Sequence, residues 1–215
     1  MGRSATGAGR RKPRRQPQRR RFLVACEGDK EVAYFKWLSK HLGGGIVLKP
    51  VKDWSAPEHV LALALRERDD DRRAAEESGD PNDVFDGVWI VVDVDEHAHL
   101  AQALADAEKA GITSAVSGPC FEVWLIFHKE DHNAAFTNSK AVKDHWSNLA
   151  GNLGKPQQEF GQLAGLLSNA TTRADALLAR HKRDGSPRHE RNPSSEVGIL
   201  VRVMAEAANL TLATL

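Results

Sequence analysis

Two rhythms of apolar residues alternate along positions 22–128. Short unbroken apolar runs bounded by Gly, Asp or Pro have the pattern of strands buried on both faces, as in a parallel sheet. They are RFLVACEG at 21–28, GIVLKPVKD at 45–53, GVWIVVD at 87–93 and ITSAVSG at 112–118. Between them the apolar positions recur at helical spacing. Val32, Phe35, Leu38 and Leu42 mark a helix that Gly43 stops. Ser55 and Glu58 form a capping box for the next helix, with Pro57 in its first turn. Its far half, 67–77, is nearly all charged and solvated, and GDPND at 79–83 is a turn. HLAQALADAEKAG ends a third helix at Gly111, and PCFEVWLIFH opens a fourth, with Pro119 early and Ser117 as its cap. Strand followed by helix, four times over, predicts an α/β fold: a Rossmannoid parallel sheet of about four strands with helices on both faces. Beyond about residue 130 the strand rhythm stops. Three stretches of helical periodicity predict a helical C-terminal region with no further strand.

Charge divides the chain further. Residues 1–21 carry nine basic side chains and no acid, although the whole chain of 215 residues has a net charge of only +1. The rest is therefore acidic, at about −8. The organisation expected is a disordered basic tail at 1–21, an α/β domain at 22–130 and a helical region at 131–215 packed on the same domain. The tail has two readings, a grip on a phosphate backbone by counterion release or a solubilising extension. No apolar run is long enough to span a bilayer, and the start has no secretory h-region, so a cytoplasmic location with no membrane partner is expected. Cys26 and Cys120 lack metal-type spacing and read as free thiols.

The candidate chemistry lies at strand ends. The first predicted strand ends in Glu27-Gly28 and the third in Asp93-Val94-Asp95. Parallel sheets bind ligands at the carboxyl ends of their strands. Neighbouring strands would bring these acids within roughly 5–10 Å, and Asp93 and Asp95 point the same way in an extended backbone. Three convergent carboxylates repel one another unless a cation lies among them, and Mg²⁺ suits such oxygens together with phosphate and water. Gly28 permits a close approach by phosphate. The bland alternative has Asp95 capping a helix, Asp93 ending a strand in solvent and Glu27 in an exposed turn.

Other residues have two readings each. Glu122 is a second metal ligand or a first-turn helix acid. His128 donates to phosphate or packs in a half-buried helix. Asn192 to Ser195 open a helix whose amides meet a phosphate, or merely cap it. HKRDGSPRHERN at 181–192 is a mobile basic loop that clamps nucleic acid or is simply solvated. Trp37, Trp89 and Trp124 belong to the core. Trp146 stacks a base or packs within the helical region. His97 and His99 beside the aspartates suggest zinc, but helix onset after Asp95 turns them away.

The stretches FLVACEGDKEVAYFKWL, FDGVWIVVDVDEH, SGPCFEVWLIFH and RNPSSEVGILV, in this order from about 22 to 205, resemble the RloB-like family. A Glu-Gly after strand one and D-x-D after strand three also resemble the Toprim domain of topoisomerases, primases and OLD-type nucleases. The family pattern E-G-x-x-T-E is here Glu27-Gly28-Asp29-Lys30-Glu31-Val32, so the second acid is shifted. The family's S-N-P-C-F-E is here Ser117 to Glu122, with Gly118 for Asn, and its N-P-S-T is Asn192 to Ser195. The resemblance implies a Toprim-like nuclease fold and a metal-dependent nuclease cutting DNA or RNA. It implies an anti-phage system with an ABC-type ATPase partner (RloA-like), and self-association is left open. It makes Glu27 the general acid/base and Asp93 and Asp95 the ligands of Mg²⁺ or Mn²⁺. Glu122 is the candidate ligand of a second metal, and Gly28, Lys30, His128, Asn192 and Ser194 are the candidate contacts to the substrate. Two other classes stay open. One is a haloacid-dehalogenase-type phosphohydrolase, whose D-x-D normally follows the first strand. The other is a non-catalytic subunit that binds nucleic acid or the ATPase.

Overall fold

The four apolar runs form the body of one sheet in the computed structural model, which describes residues 19–43, 46–52, 56–79, 84–94, 99–151 and 156–214. The tail up to residue 18, Ser55, the turn at 80–83 and residues 95–98 lie outside the described residues. The elements in chain order are β1 (Arg20–Cys26), α1 (Asp29–His41), β2 (Ile46–Lys52), α2 (Pro57–Ser78), β3 (Gly87–Asp93), α3 (Leu100–Lys109) and β4 (Thr113–Gly118). Then follow α4 (Glu122–Lys129), α5 (Ser139–Ala150), α6 (Pro156–Gly161), α7 (Leu167–Arg183), β5 (Ser194–Ser195) and α8 (Val197–Ala207). The sheet order is β2-β1-β3-β4-β5, with β1 to β4 parallel and β5 antiparallel to β4.

The period-two rule sorts each strand between two cores. Phe22, Val24 and Cys26 of β1, with Trp89, Val91 and Ala115, face a large cluster containing Tyr34, Phe35 and Leu38 of α1 and the apolar residues of α4, α7 and α8. Ala25, Ile90, Val92 and Val116 face a smaller cluster built by Val60 and Ala64 of α2 and Leu100, Leu104 and Ala107 of α3. Helices therefore cover both faces, as the alternation predicts. Helix α1 leaves β1 over one face, while α2 and α3 cross the other. The chain thus reverses direction between β1 and β3, and that topological switch point is where doubly wound sheets open a crevice.

Helix α4 is buried from Glu122 to His128. A helix apolar nearly all round needs partners on every side. It finds them in Trp146 of α5, Leu167, Ala170 and Ala174 of α7, and Val197, Leu200 and Val201 of α8. Trp124 and Trp146 are both fully buried, so Trp146 packs in the helical region rather than standing free to stack a base. No helix among the described residues is long and apolar enough to cross a membrane.

Several local expectations need correction. A fifth strand exists: Ser194 and Ser195 pair with Gly118 and Ser117, and two serines carry no apolar run that would signal it. Ser117 is the penultimate residue of β4, not the cap of α4. The chain passes through cis Gly118–Pro119 before the helix begins. Asn192–Pro193 is also cis, and the following helix starts only at Val197, so Asn192 to Ser195 do not open it. Helix α2 takes Ala56 as its N-cap, without a side-chain cap bond. Strand β1 begins at Arg20, so the tail's last two residues belong to the sheet. The basic loop is tied down: Arg188 and Arg191 bond to Glu196, and Arg188 also bonds to the Ser114 carbonyl.

Candidate active site at the carboxyl rim of the sheet

Cys26 of β1 lies beside Val91 of β3. Continuing that register puts Glu27 and Gly28 beside the end of β3, where Asp93 closes the strand. Neighbouring strands are about 4.8 Å apart, so the two acids share one rim. Glu27 and Gly28 form the turn into α1, with Gly28 as N-cap. A Cβ on Gly28 would stand 2.6 Å from Glu31 Oε2, which a side chain there would have to displace. Glu31, in the first turn of α1, is buried, and so is Glu122, in the first turn of α4.

These carboxylates act on one another electrostatically. Burial, then the charges of Glu31, Glu27 and Glu122, push the Asp93 carboxyl well above the usual carboxylate range, while the Phe121 amide pulls it back. Burial also raises Glu31 to about 6, with the Glu122 charge adding to it and its own backbone amide, Lys143 and Lys30 opposing. Four carboxylates from three segments therefore repel one another at the switch point. Asp93 Oδ1 is enclosed and has no hydrogen-bond partner among the described residues. Lys30 answers part of the charge, its Nζ lying 3.5 Å from Glu122 Oε1 and 3.3 Å from Glu159 Oε1. The amino ends of α1 and α4 open on this rim, so two macrodipoles present their positive poles to it. The Cys26 and Cys120 thiols are buried beside the acids. Burial first, then neighbouring carboxylates, raises both, so they stay protonated.

Of the residues expected at the site, Glu27, Gly28, Lys30, Asp93 and Glu122 come together. Asp95 lies outside the described residues. His128 is enclosed in the core, 1 % exposed, and this corrects its expected contact with substrate. Its Nδ1–H donates to the Trp124 carbonyl over 2.9 Å, and burial holds the ring neutral, down to about 4. Asn192 uses both ends of its amide on the backbone of Phe136, accepting from its N–H and donating to its carbonyl. Ser194 is buried in β5 and donates to the Arg191 carbonyl. Both residues tie the chain to its own backbone.

Glu31, the shifted second acid of the family pattern, joins the rim from the first turn of α1. One group escaped the sequence reading. Glu130, His132 and His145 gather three potential metal-ligand atoms within 4.8 Å of one another. Glu-x-His followed by a histidine thirteen residues later has no regular ligand spacing that a sequence would show.

A mostly parallel doubly wound sheet with a carboxylate cluster at its switch point defines a Rossmann-like α/β protein with an acidic rim site. The model of the family described as RloB-like protein matches residues 22–204, most of the chain. The chain belongs to the RloB-like family. No curated protein and no solved structure shows significant similarity to it.

Proposed function

We propose that the acidic rim is a metal-dependent nuclease centre of the Toprim type, cleaving phosphodiester bonds of DNA or RNA. The observation that carries this reading is the gathering of Glu27, Glu31, Asp93 and Glu122 about an enclosed carboxylate oxygen that has no hydrogen-bond partner among the described residues. As packing alone this is expensive, because like charges in a desolvated site oppose folding. As a hard-cation site it makes sense, because all the donors are carboxylate oxygens. Asp93 and Glu122 would hold Mg²⁺ or Mn²⁺, with Asp95 expected beside them. When bound, the ion stabilises charge on the phosphoryl group and lowers the pKa of a water.

The chain's own residues supply the rest. Glu27, on the turn after β1, accepts or delivers the proton as general acid/base. Gly28 leaves the amino end of α1 open to an anionic group. The Lys30 ammonium, at the mouth of the cluster, attracts the phosphate backbone. The basic residues of the first 19 positions add sequence-independent attraction to the same polyanion. We further propose that the protein acts in anti-phage defence beside an ABC-type ATPase, a reading that rests on the family resemblance alone.

The test is cleavage of labelled DNA and RNA by the purified chain, with and without the ATPase partner, in Mg²⁺, in Mn²⁺ and in chelator. Cleavage is expected with metal and lost in Glu27→Ala and Asp93→Ala. No cleavage under any condition, or cleavage that survives both substitutions, overturns the nuclease reading.

A further inference from the structure

A second set of metal-type donors lies at the far end of α4, about 12 Å along the helix from Glu122 at 1.5 Å per residue. Glu130 is the C-cap of α4, His132 follows in the connecting segment and His145 projects from α5. His145 Nε2 is 2.6 Å from Glu130 Oε1, and His132 Nδ1 is 3.4 Å from the same oxygen. All three side chains are half-buried, so the point they face is fixed by protein yet reachable from solvent.

Two imidazole nitrogens and one carboxylate oxygen are a zinc-type donor set that leaves a fourth position for water. They are a poor match for Mg²⁺, which prefers oxygen alone. A tetrahedral ion with bonds of about 2.1 Å needs its ligand atoms about 3.4 Å apart. The His132–Glu130 separation already meets this, and small side-chain rotations would open the His145–Glu130 contact to it. The ring positions are preset. His132 stacks on Phe136 with centroids 4.2 Å apart and planes 10° apart. The Phe136 backbone is held by both ends of the Asn192 amide. His145 precedes the fully buried Trp146, which anchors its turn of α5.

We propose that Glu130, His132 and His145 bind one Zn²⁺-class ion, with water completing the shell, and so clip the 130–138 segment and α5 to the end of α4. The site is separate from the acidic rim and does not depend on its chemistry.

The test uses the full chain, stripped with chelator, held in excess Mg²⁺ and titrated with Zn²⁺ against a chromophoric competitor. Uptake of one Zn²⁺ is expected in the wild type and in Asp93→Asn. Affinity should fall in His132→Asn and His145→Gln by more than the 10–100-fold that loss of an outer-shell partner brings. Co²⁺ in place of Zn²⁺ should give the visible absorption of a tetrahedral site in the wild type, lost in either variant. Circular dichroism checks that each variant folds, and the wild-type Co²⁺ spectrum decides the matter if one does not. Absence of stoichiometric Zn²⁺ uptake, or equal affinity in wild type and folded histidine variants, overturns the proposal and leaves a hydrogen-bonded trio.

Discussion

The two rims of the sheet handle their acids in opposite ways. At the amino rim Asp71 and Asp86 are both answered. Asp71 meets Arg21 over 2.9 Å and accepts the Phe85 amide over 2.8 Å. Asp86 meets Arg20 over 2.6 Å and accepts the Arg21 amide over 2.7 Å. Asp71, Phe85 and Asp86 line a cleft together with Arg68 and Arg72. At the carboxyl rim Asp93 faces Glu27, Glu31 and Glu122, with Lys30 answering only from the margin. Nothing in strand geometry demands this difference, since the same strands end at both rims. The amino rim is arranged to stabilise the fold. The carboxyl rim withholds that stabilisation, as expected where a site must keep its charge available.

Paired substitutions at the two rims test the contrast. On the nuclease function proposed above, the largest effect falls on cleavage. Glu27→Ala should lower the rate by roughly 10²–10⁴, the range of a lost general acid/base, in single-turnover assays with saturating metal, while the denaturation midpoint barely moves. Asp71→Ala should do the reverse. It leaves a guanidinium and an amide unpaired and should cost about 1–3 kcal/mol in denaturant unfolding, with cleavage intact. If Asp71→Ala silences cleavage while the fold holds, the division of labour between the rims fails.

A smaller effect follows from pH. Glu31 is raised to about 6 in the fold, so the folded state prefers its protonated form. Its favourable contribution is complete below its unfolded value and is lost as pH rises through about 6, about 2 kcal/mol in all. His128 acts in the opposite sense: held down to about 4, it destabilises the fold as pH falls below its ordinary value. Comparing metal-free wild type with Glu31→Gln cancels the histidine, and the advantage of wild type over variant should shrink between pH 4 and pH 7. A pH-independent difference would mean that Glu31 is not in the strained cluster. The smallest effect is on Asp93→Asn, which removes a carboxylate that burial and its neighbours disfavour. Without metal it should melt slightly above the wild type in calorimetry, and a lower melting point would argue that Asp93 is paired structurally.

The framework was legible wherever a local pattern decides the structure. Unbroken apolar runs located β1, β3 and β4 because both faces of each are buried, and the Phe35 to Leu42 spacing located α1 up to Gly43. Glu27 and Asp93 were legible because strand ends at a switch point are set by topology. What escaped depends on distant partners. Strand β5 is two serines held by Ser117 and Gly118, far away in sequence. His128 sits in the motif block but turns inward, because α4 is enclosed by α5, α7 and α8. Asn192 looked like a helix start because its role is fixed by Phe136, fifty-six residues earlier.

The seam beside β4 has one more consequence. Glu196 donates its amide to the Val116 carbonyl, accepts the Val116 amide on its carboxylate and is gripped by Arg188. Gly118 lets the Arg191 carbonyl come so near that a Cβ there would stand 1.9 Å from it. Together with β5, this segment plugs what would otherwise be a bare hydrogen-bonding margin of the sheet. A protein clipped ahead of Arg188 would uncover the peptide groups of β4, a ready template for recruiting strands from other molecules. The segment from Arg188 to Glu196 is therefore a guard against clumping as well as a packing layer.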